Sequence, residues 1–205
     1  MTLPLVEYRD DGPIATSVRR VGTVRVESLT LTVLGVLAGT VGLLLDGAVT
    51  GPASYAGIGL FVVLATLGAA ARRGVRVQWL VPPLLRIGEY MTVAVLASRV
   101  DATTAAAAFV LLAVVAFHHY DIVYRLRHQH TTPSHLVSQL CGGWEVRTIV
   151  VVLAAATGTL LPTLLALAAW CGVLYVTESL RSWARLALDG TAVARAGAEI
   201  EEDAG

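Results

Sequence analysis

The sequence predicts an all-α membrane fold, a bundle of six transmembrane helices with both termini on the cytoplasmic side. Three observations lead there. The 205 residues are 56% hydrophobic and only 15% charged, with a mean hydropathy of +0.70, whereas a soluble domain carries about 25% charged and 45–50% apolar residues. The apolar residues come in runs of membrane-crossing length. Arginines collect at alternate joins between those runs.

A helix crosses the hydrocarbon core with about 20 mostly apolar residues. In chain order the candidates are Leu29–Val49, Ala53–Ala71, Trp79–Ala97, Thr103–Tyr120, Arg147–Leu161 and Pro162–Ser179. The last two are short. Gly158 to Pro162 between them reads as a tight turn, because glycine and proline punctuate helices; a re-entrant hairpin competes with two full spans. The first run follows a polar segment bearing Glu7, Asp10, Asp11 and Glu27, the wrong shape for a cleaved leader, so it reads as a retained helix. The expected organisation is a cytoplasmic arm (1–28), a six-helix domain (29–183) and a cytoplasmic tail (184–205) that is disordered at its acidic end.

All 15 basic residues are arginine. Thirteen of them precede the first span, lie between the second and third or the fourth and fifth, or follow the sixth. Only Arg99 lies opposite, and Arg86 falls within a span. The positive-inside rule then puts both termini in the cytoplasm and the chain in the cell membrane. Trp79, Trp144 and Trp183 fall at the same boundary, where an amphipathic indole is favoured. The net charge is zero, so no basic field argues for nucleic acid as a partner. Cys141 in a loop and Cys171 deep in an apolar helix do not suggest a disulfide framework. Gly35-x-x-x-Gly39 would let a second helix approach closely, although small residues are abundant enough for chance to give the pattern.

Ionisable groups inside a span are costly, about 2.5–3.5 kcal/mol at the helix centre on insertion scales. The third span carries Arg86, Glu89 and Tyr90 at helical spacing on one face. At about 1.5 Å per residue from Trp79, Arg86 lies roughly 10 Å in and Glu89 near 15 Å. A neutralised structural pair is the plain reading; an anion held by Arg86 at the floor of a cytoplasm-facing cavity is the sharper one. The fourth span ends with His118, Asp121 and Arg125 on one face, His119 pointing elsewhere. A His/Asp pair suits acid–base work, so His118 and Asp121 are the catalytic candidates. Two ligands do not make a metal site, and none is assigned. Glu145 and Arg147 open the fifth helix, Glu178 and Arg181 close the sixth, and both pairs reach the same depth. The outer side holds only Asp46, Arg99 and Asp101. That asymmetry marks Arg86, Glu89, Tyr90, Arg125, Glu145, Arg147, Glu178 and Arg181 as candidate ligand-binding residues.

Four motifs spaced from Trp79 to Trp183 carry a resemblance: Pro82 to Tyr90, Phe117 to Arg125, Gly143 to Arg147 and Val176 to Trp183. Together they resemble an uncharacterised actinobacterial membrane domain that often stands C-terminal to a CDP-alcohol phosphatidyltransferase. The resemblance implies a role in phospholipid or polar-head-group synthesis and supplies no catalytic residues or cofactor. The chain does not carry that transferase's own signature, Asp-x-x-Asp-Gly-x-x-Ala-Arg followed by Gly-x-x-x-Asp-x-x-x-Asp. His118 stands at the first Asp, Ile122 replaces Gly and Arg125 falls one position early, so a two-metal clamp of four carboxylates cannot be built.

Three functions follow as expectations. In the first, the arginines hold an anionic lipid or other phosphate-bearing ligand from the cytoplasm by bidentate contacts. In the second, the chain is a non-catalytic scaffold or partner for a lipid-synthesising transferase, since no catalytic constellation is complete. The third, a transporter, sits poorly with the empty outer halves, because alternating access places polar groups near the midplane with a route to both faces.

Overall fold

The computed structural model describes residues 7–22, 24–48, 50–72, 77–129 and 134–203. Its helices are α1 (Pro13–Val21), α2 (Ser28–Leu45), α3 (Pro52–Leu67), α4 (Val81–Ser98), α5 (Ala102–Tyr124), α6 (His135–Leu140), α7 (Gly143–Thr157) and α8 (Leu160–Asp203). Five stretches are long and apolar enough to cross a membrane: Ser28–Leu45, Gln78–Ser98, Ala102–His128, His135–Thr157 and Leu160–Arg185. Helix α3 is apolar but only 16 residues long. Two short strands, β1 (Val24–Glu27) and β2 (Ala71–Arg72), pair in parallel and tie the start of α2 to the end of α3.

Helices α2 and α3 form an antiparallel hairpin whose backbones nearly touch. The contact runs past Gly35 and Gly39 and is tightest at Gly42, where a Cβ would meet the Ala53 carbonyl oxygen at 2.4 Å and the Gly57 Cα at 2.8 Å. The glycine pattern therefore serves packing here, with Gly42 and Gly57 as its decisive members. Both atoms facing Gly42 are backbone and cannot step aside. Gly42→Ala is accordingly expected to cost about 1–3 kcal/mol, the usual penalty for overpacking, seen as a lower unfolding midpoint in detergent. A leucine-rich core (Leu96, Leu111, Leu164 and Val151) binds α4, α5, α7 and α8. A second cluster joins Phe61 of α3 to Leu85 of α4 and Trp144 of α7.

Most boundaries move by a few residues, α2 and α3 ending at Leu45 and Leu67 and α5 at Tyr124, and three differences bear on how the bundle is built. The fifth apolar helix begins at Gly143 rather than Arg147. Gly142 and Gly143, at φ +79° and +62°, break α6 from α7 in a conformation that glycine adopts without steric cost. The break strands the Leu140 carbonyl, which accepts from the Trp170 indole at 3.1 Å. The α7–α8 turn is just Gly158 and Thr159, and Pro162 lies inside the first turn of α8. Proline fits there because the first four helical N–H groups have no intrahelical acceptor. The third difference is at the end of the chain, where α8 continues through the expected tail to Asp203.

The polar residues of the end bearing the α2–α3, α4–α5 and α7–α8 turns have structural tasks. Asp46 accepts from the Gly51 and Ser54 amides at 3.0 and 2.5 Å, capping α3. Asp101 caps α5 through the Thr104 amide at 2.7 Å. Arg99 donates to Ser54 Oγ at 3.0 Å and to the Leu43 carbonyl, closing that end across three helices.

Candidate functional site

At the opposite end, residues 7–22 are folded onto the bundle. The seat is made of glycine. A Cβ on Gly12 would lie 2.0 Å from the Gly142 carbonyl oxygen, and one on Gly143 would lie 2.2 Å from the Gly12 nitrogen. Helix α1 starts there with Pro13 in its first turn and no capping side chain of its own. Glu145 supplies the cap from α7, accepting the Gly12 and Ala15 amides at 3.0 and 3.1 Å. The Trp144 indole donates to Asp11 Oδ1 at 3.2 Å, and its amide donates to the Asp10 carbonyl at 3.3 Å. Arg9 pairs with Asp11 and reaches Ser28 Oγ at 3.0 Å, while Arg19 pairs with Asp11 from the other side.

This docking inserts the Asp10 carboxylate into the bundle, where its side chain is 0% exposed. Arg147 Nη2 donates to Asp10 Oδ2 at 2.9 Å, Nε to Glu89 Oε1 at 2.6 Å, and Nη1 to the Tyr175 hydroxyl at 2.9 Å. His118 Nε2 and His119 Nε2 lie 3.5 and 3.4 Å from the two Asp10 oxygens. The Tyr90 hydroxyl and His119 Nδ1 are 2.8 Å apart, and the His118 ring stacks on Tyr175 at 3.7 Å between centroids. Buried charge persists only when it is paired and hydrogen-bonded; one guanidinium between two carboxylates meets that requirement.

A second cluster forms lower on α5. Arg125 pairs with Asp121 and, at 3.2 Å, with Glu178 of α8. Ser179 Oγ donates to Asp121 at 3.4 Å, and the Ser134 amide donates to Glu178 at 2.6 Å. Arg86 is half-buried; its Nη2 donates to the Tyr8 carbonyl at 3.2 Å, and its Nε is buried without a partner. Arg181 is exposed.

The polar residues singled out from the sequence thus divide among several assemblies. Glu89, Arg147, His118 and Tyr90 meet around Asp10. Asp121, Arg125 and Glu178 form their own group, Glu145 serves as a cap, and Arg86 lies at the rim. Two local pairs suggested by spacing are replaced by bonds between helices, Glu89 taking Arg147 instead of Arg86 and Glu178 taking Arg125 instead of Arg181, while Asp121 and Arg125 do pair along α5. His119, expected to point away, reaches Asp10 because that carboxylate sits between adjacent α5 positions. Trp144, expected at the membrane boundary, is 1% exposed and packs on Phe61 at 5.5 Å. Cys141 and Cys171, far apart in sequence, share one buried cluster with Tyr175 and are free thiols. Asp10, Tyr175 and the Gly12 seat were missed. The available signal was Asp11-Gly12-Pro13, which reads as a helix start and therefore as an ordered segment. Arg73 and Arg76, two of the one-sided arginines, and His130, a histidine between the fourth and fifth expected spans, lie outside the described residues. Among the described residues, no group of three or more His, Cys, Asp or Glu side chains is placed to hold a metal ion.

A family model spanning residues 2–200 matches the chain, that of a family of unknown function, DUF5941. The chain belongs to this family. No curated protein and no solved structure matches it. The family match covers the docked segment along with the helices, so both clusters fall within the family's extent.

Burial raises the Asp10 carboxyl pKa, but Arg147 and the two imidazoles outweigh it and hold the group well below the usual carboxylate range. The sign follows from linkage: a depressed folded value contributes stability that is present above the unfolded pKa of about 3.9 and lost as pH falls through the folded value. Acid titration of the chain in detergent is therefore expected to lower its unfolding midpoint below about pH 4. Asp10→Asn is expected to remove part of that acid dependence.

Proposed function

We propose that the chain is a six-span membrane domain, termini cytoplasmic, that serves as a non-catalytic scaffold or partner for a lipid-synthesising transferase, a CDP-alcohol phosphatidyltransferase being the first candidate. One observation carries this reading. Arg147 and Arg125, expected to hold a phosphate, are 1% and 4% exposed and already occupied by carboxylates of the same chain. So occupied, each guanidinium locks helices together: Arg125 joins α5 to α8, and Arg147 joins α7 to Glu89 of α4. His118 and Asp121, the catalytic candidates, likewise turn to separate partners, Asp10 and Arg125. The arginine distribution supports the orientation. Helix α3 would span about 24 Å at about 1.5 Å per residue, a shortfall that a bilayer accommodates by local thinning.

The test is affinity purification of the chain from membranes in mild detergent, with lipid synthesis followed in parallel. Co-purification of a phosphatidyltransferase, and lipid output unchanged in Asp121→Asn, are expected. Loss of lipid output in Asp121→Asn with the protein still folded contradicts a non-catalytic role.

A second reading, an anionic lipid held at the rim, is favoured by the unpartnered Nε of Arg86. Mass spectrometry of lipids retained on the purified protein tests it: enrichment of an anionic lipid that Arg86→Ala abolishes supports the reading, and no enrichment removes it.

A further inference from the structure

Asp10 enters the donor-rich centre of the bundle from outside the spans. Three N–H-bearing groups on two helices converge on its carboxylate: Arg147 Nη2 at 2.9 Å, His119 Nε2 at 3.4 Å and His118 Nε2 at 3.5 Å. Each is held in place without Asp10. Glu89 and Tyr175 fix Arg147, the Tyr90 hydroxyl fixes His119, and stacking on Tyr175 fixes His118. The seat therefore does not depend on its occupant.

The occupant fits it imperfectly. Both histidine distances exceed the 2.7–3.2 Å of an ordinary N–H···O bond. Asp10 Oδ1 and His118 Nε2 are buried without a hydrogen-bond partner, a costly condition for polar atoms. The Asp10 backbone also sits at φ +52°, a region where non-glycine residues are uncommon. A carboxylate has two oxygens in one plane for three donors. A phosphate monoester has three terminal oxygens arranged tetrahedrally and can give one to each.

We propose that this seat is an anion site for a phosphate monoester group, and that residues 7–22 are its displaceable occupant. Asp10 holds the place of the phosphate, and binding of the phosphate releases the segment from the Gly142–Gly143 seat. The inference adds a ligand to the proposed partner domain and stands whether or not the partner is a phosphatidyltransferase. The phosphate can belong to a lipid such as phosphatidic acid or to a soluble molecule.

The test uses the full chain in nanodiscs of phosphatidylcholine alone, of phosphatidylcholine with inorganic phosphate added, and of phosphatidylcholine mixed with phosphatidic acid. Hydrogen exchange is read at the Gly12 and Ala15 amides, which Glu145 protects. The expected result is exchange roughly tenfold faster in an anion arm, since displacement raises the open population. The arm that responds identifies the source as lipid or soluble. Asp10→Asn, lacking the competing carboxylate, is expected to bind the same anion roughly tenfold more tightly, because the binding-competent fraction is larger. Unchanged exchange in both anion arms overturns the proposal, and so does an Asp10→Asn protein with no gain in anion affinity. If that variant does not fold, the exchange result on the natural sequence decides alone.

Discussion

Arg147→Met is expected to cost about 3–5 kcal/mol, the usual effect of removing one partner from a buried ion pair. The cause is less the lost bonds than what they leave behind. Glu89 and Asp10 would remain as two carboxylates, 2% and 0% exposed in their side chains, with no cation between them. The check is thermal unfolding in detergent, followed by fluorescence. Combining Arg147→Met with Glu89→Gln and Asp10→Asn is expected to recover much of the loss, because eliminating a buried charged set is far less costly than orphaning part of it. If the single variant unfolds like the natural chain, Arg147 is not buried between carboxylates in the folded protein.

Gly12→Ala is expected to release residues 7–22 while sparing the helices behind them. The added methyl would need the space of the Gly142 carbonyl, 2.0 Å away, with the Gly142 carbonyl carbon at 2.5 Å. That carbonyl is backbone and cannot rotate away, and Glu145 Oε1, a capping oxygen, is only 2.8 Å off as well, so the segment must lift. Exchange at Gly12 and Ala15 is expected to approach that of an unprotected amide, with protection retained along α4, α5 and α8. Gly143→Ala is expected to act in the same direction and more strongly, since it adds a side chain at φ +62° as well as a clash 2.2 Å from the Gly12 nitrogen. Full protection in Gly12→Ala would show that the seat is elsewhere.

The helices were legible in the sequence because hydropathy is a local property. Apolar runs announced α2, α4, α5 and α8. The polar residues of the end that seats residues 7–22 were legible as a group for the same reason: charge inside an apolar run is conspicuous. Their partners were not. Spacing of three or four places side chains on one face but says nothing about the helix they meet. Glu145 and Arg147, two apart, point to different sides of α7, one to the α1 amides and the other into the bundle. Long guanidinium groups bridge helices, so Arg147 met Glu89 and Asp10, and Arg125 met Glu178 besides its local partner Asp121, at sequence separations no local pattern encodes. The docked segment was least legible. Asp10 lies in a polar stretch that resembles any solvated arm, and its place is set by residues more than a hundred positions on, among them His118, His119, Gly143 and Arg147.

A double-mutant cycle between Asp10→Asn and Arg147→Gln tests the ionic pin most directly, because the first removes the charge from a side chain of the same shape and the second removes the guanidinium fork while keeping a polar group on the same stem. Residues in one buried network show coupling of about 0.5–3 kcal/mol, whereas independent sites add within about 0.3–0.5 kcal/mol. A coupling near the upper part of that range is expected for a carboxylate and a guanidinium 2.9 Å apart. Simple additivity would mean that the amino-terminal carboxylate and the α7 guanidinium do not meet in the folded chain, and that the segment is held by something else.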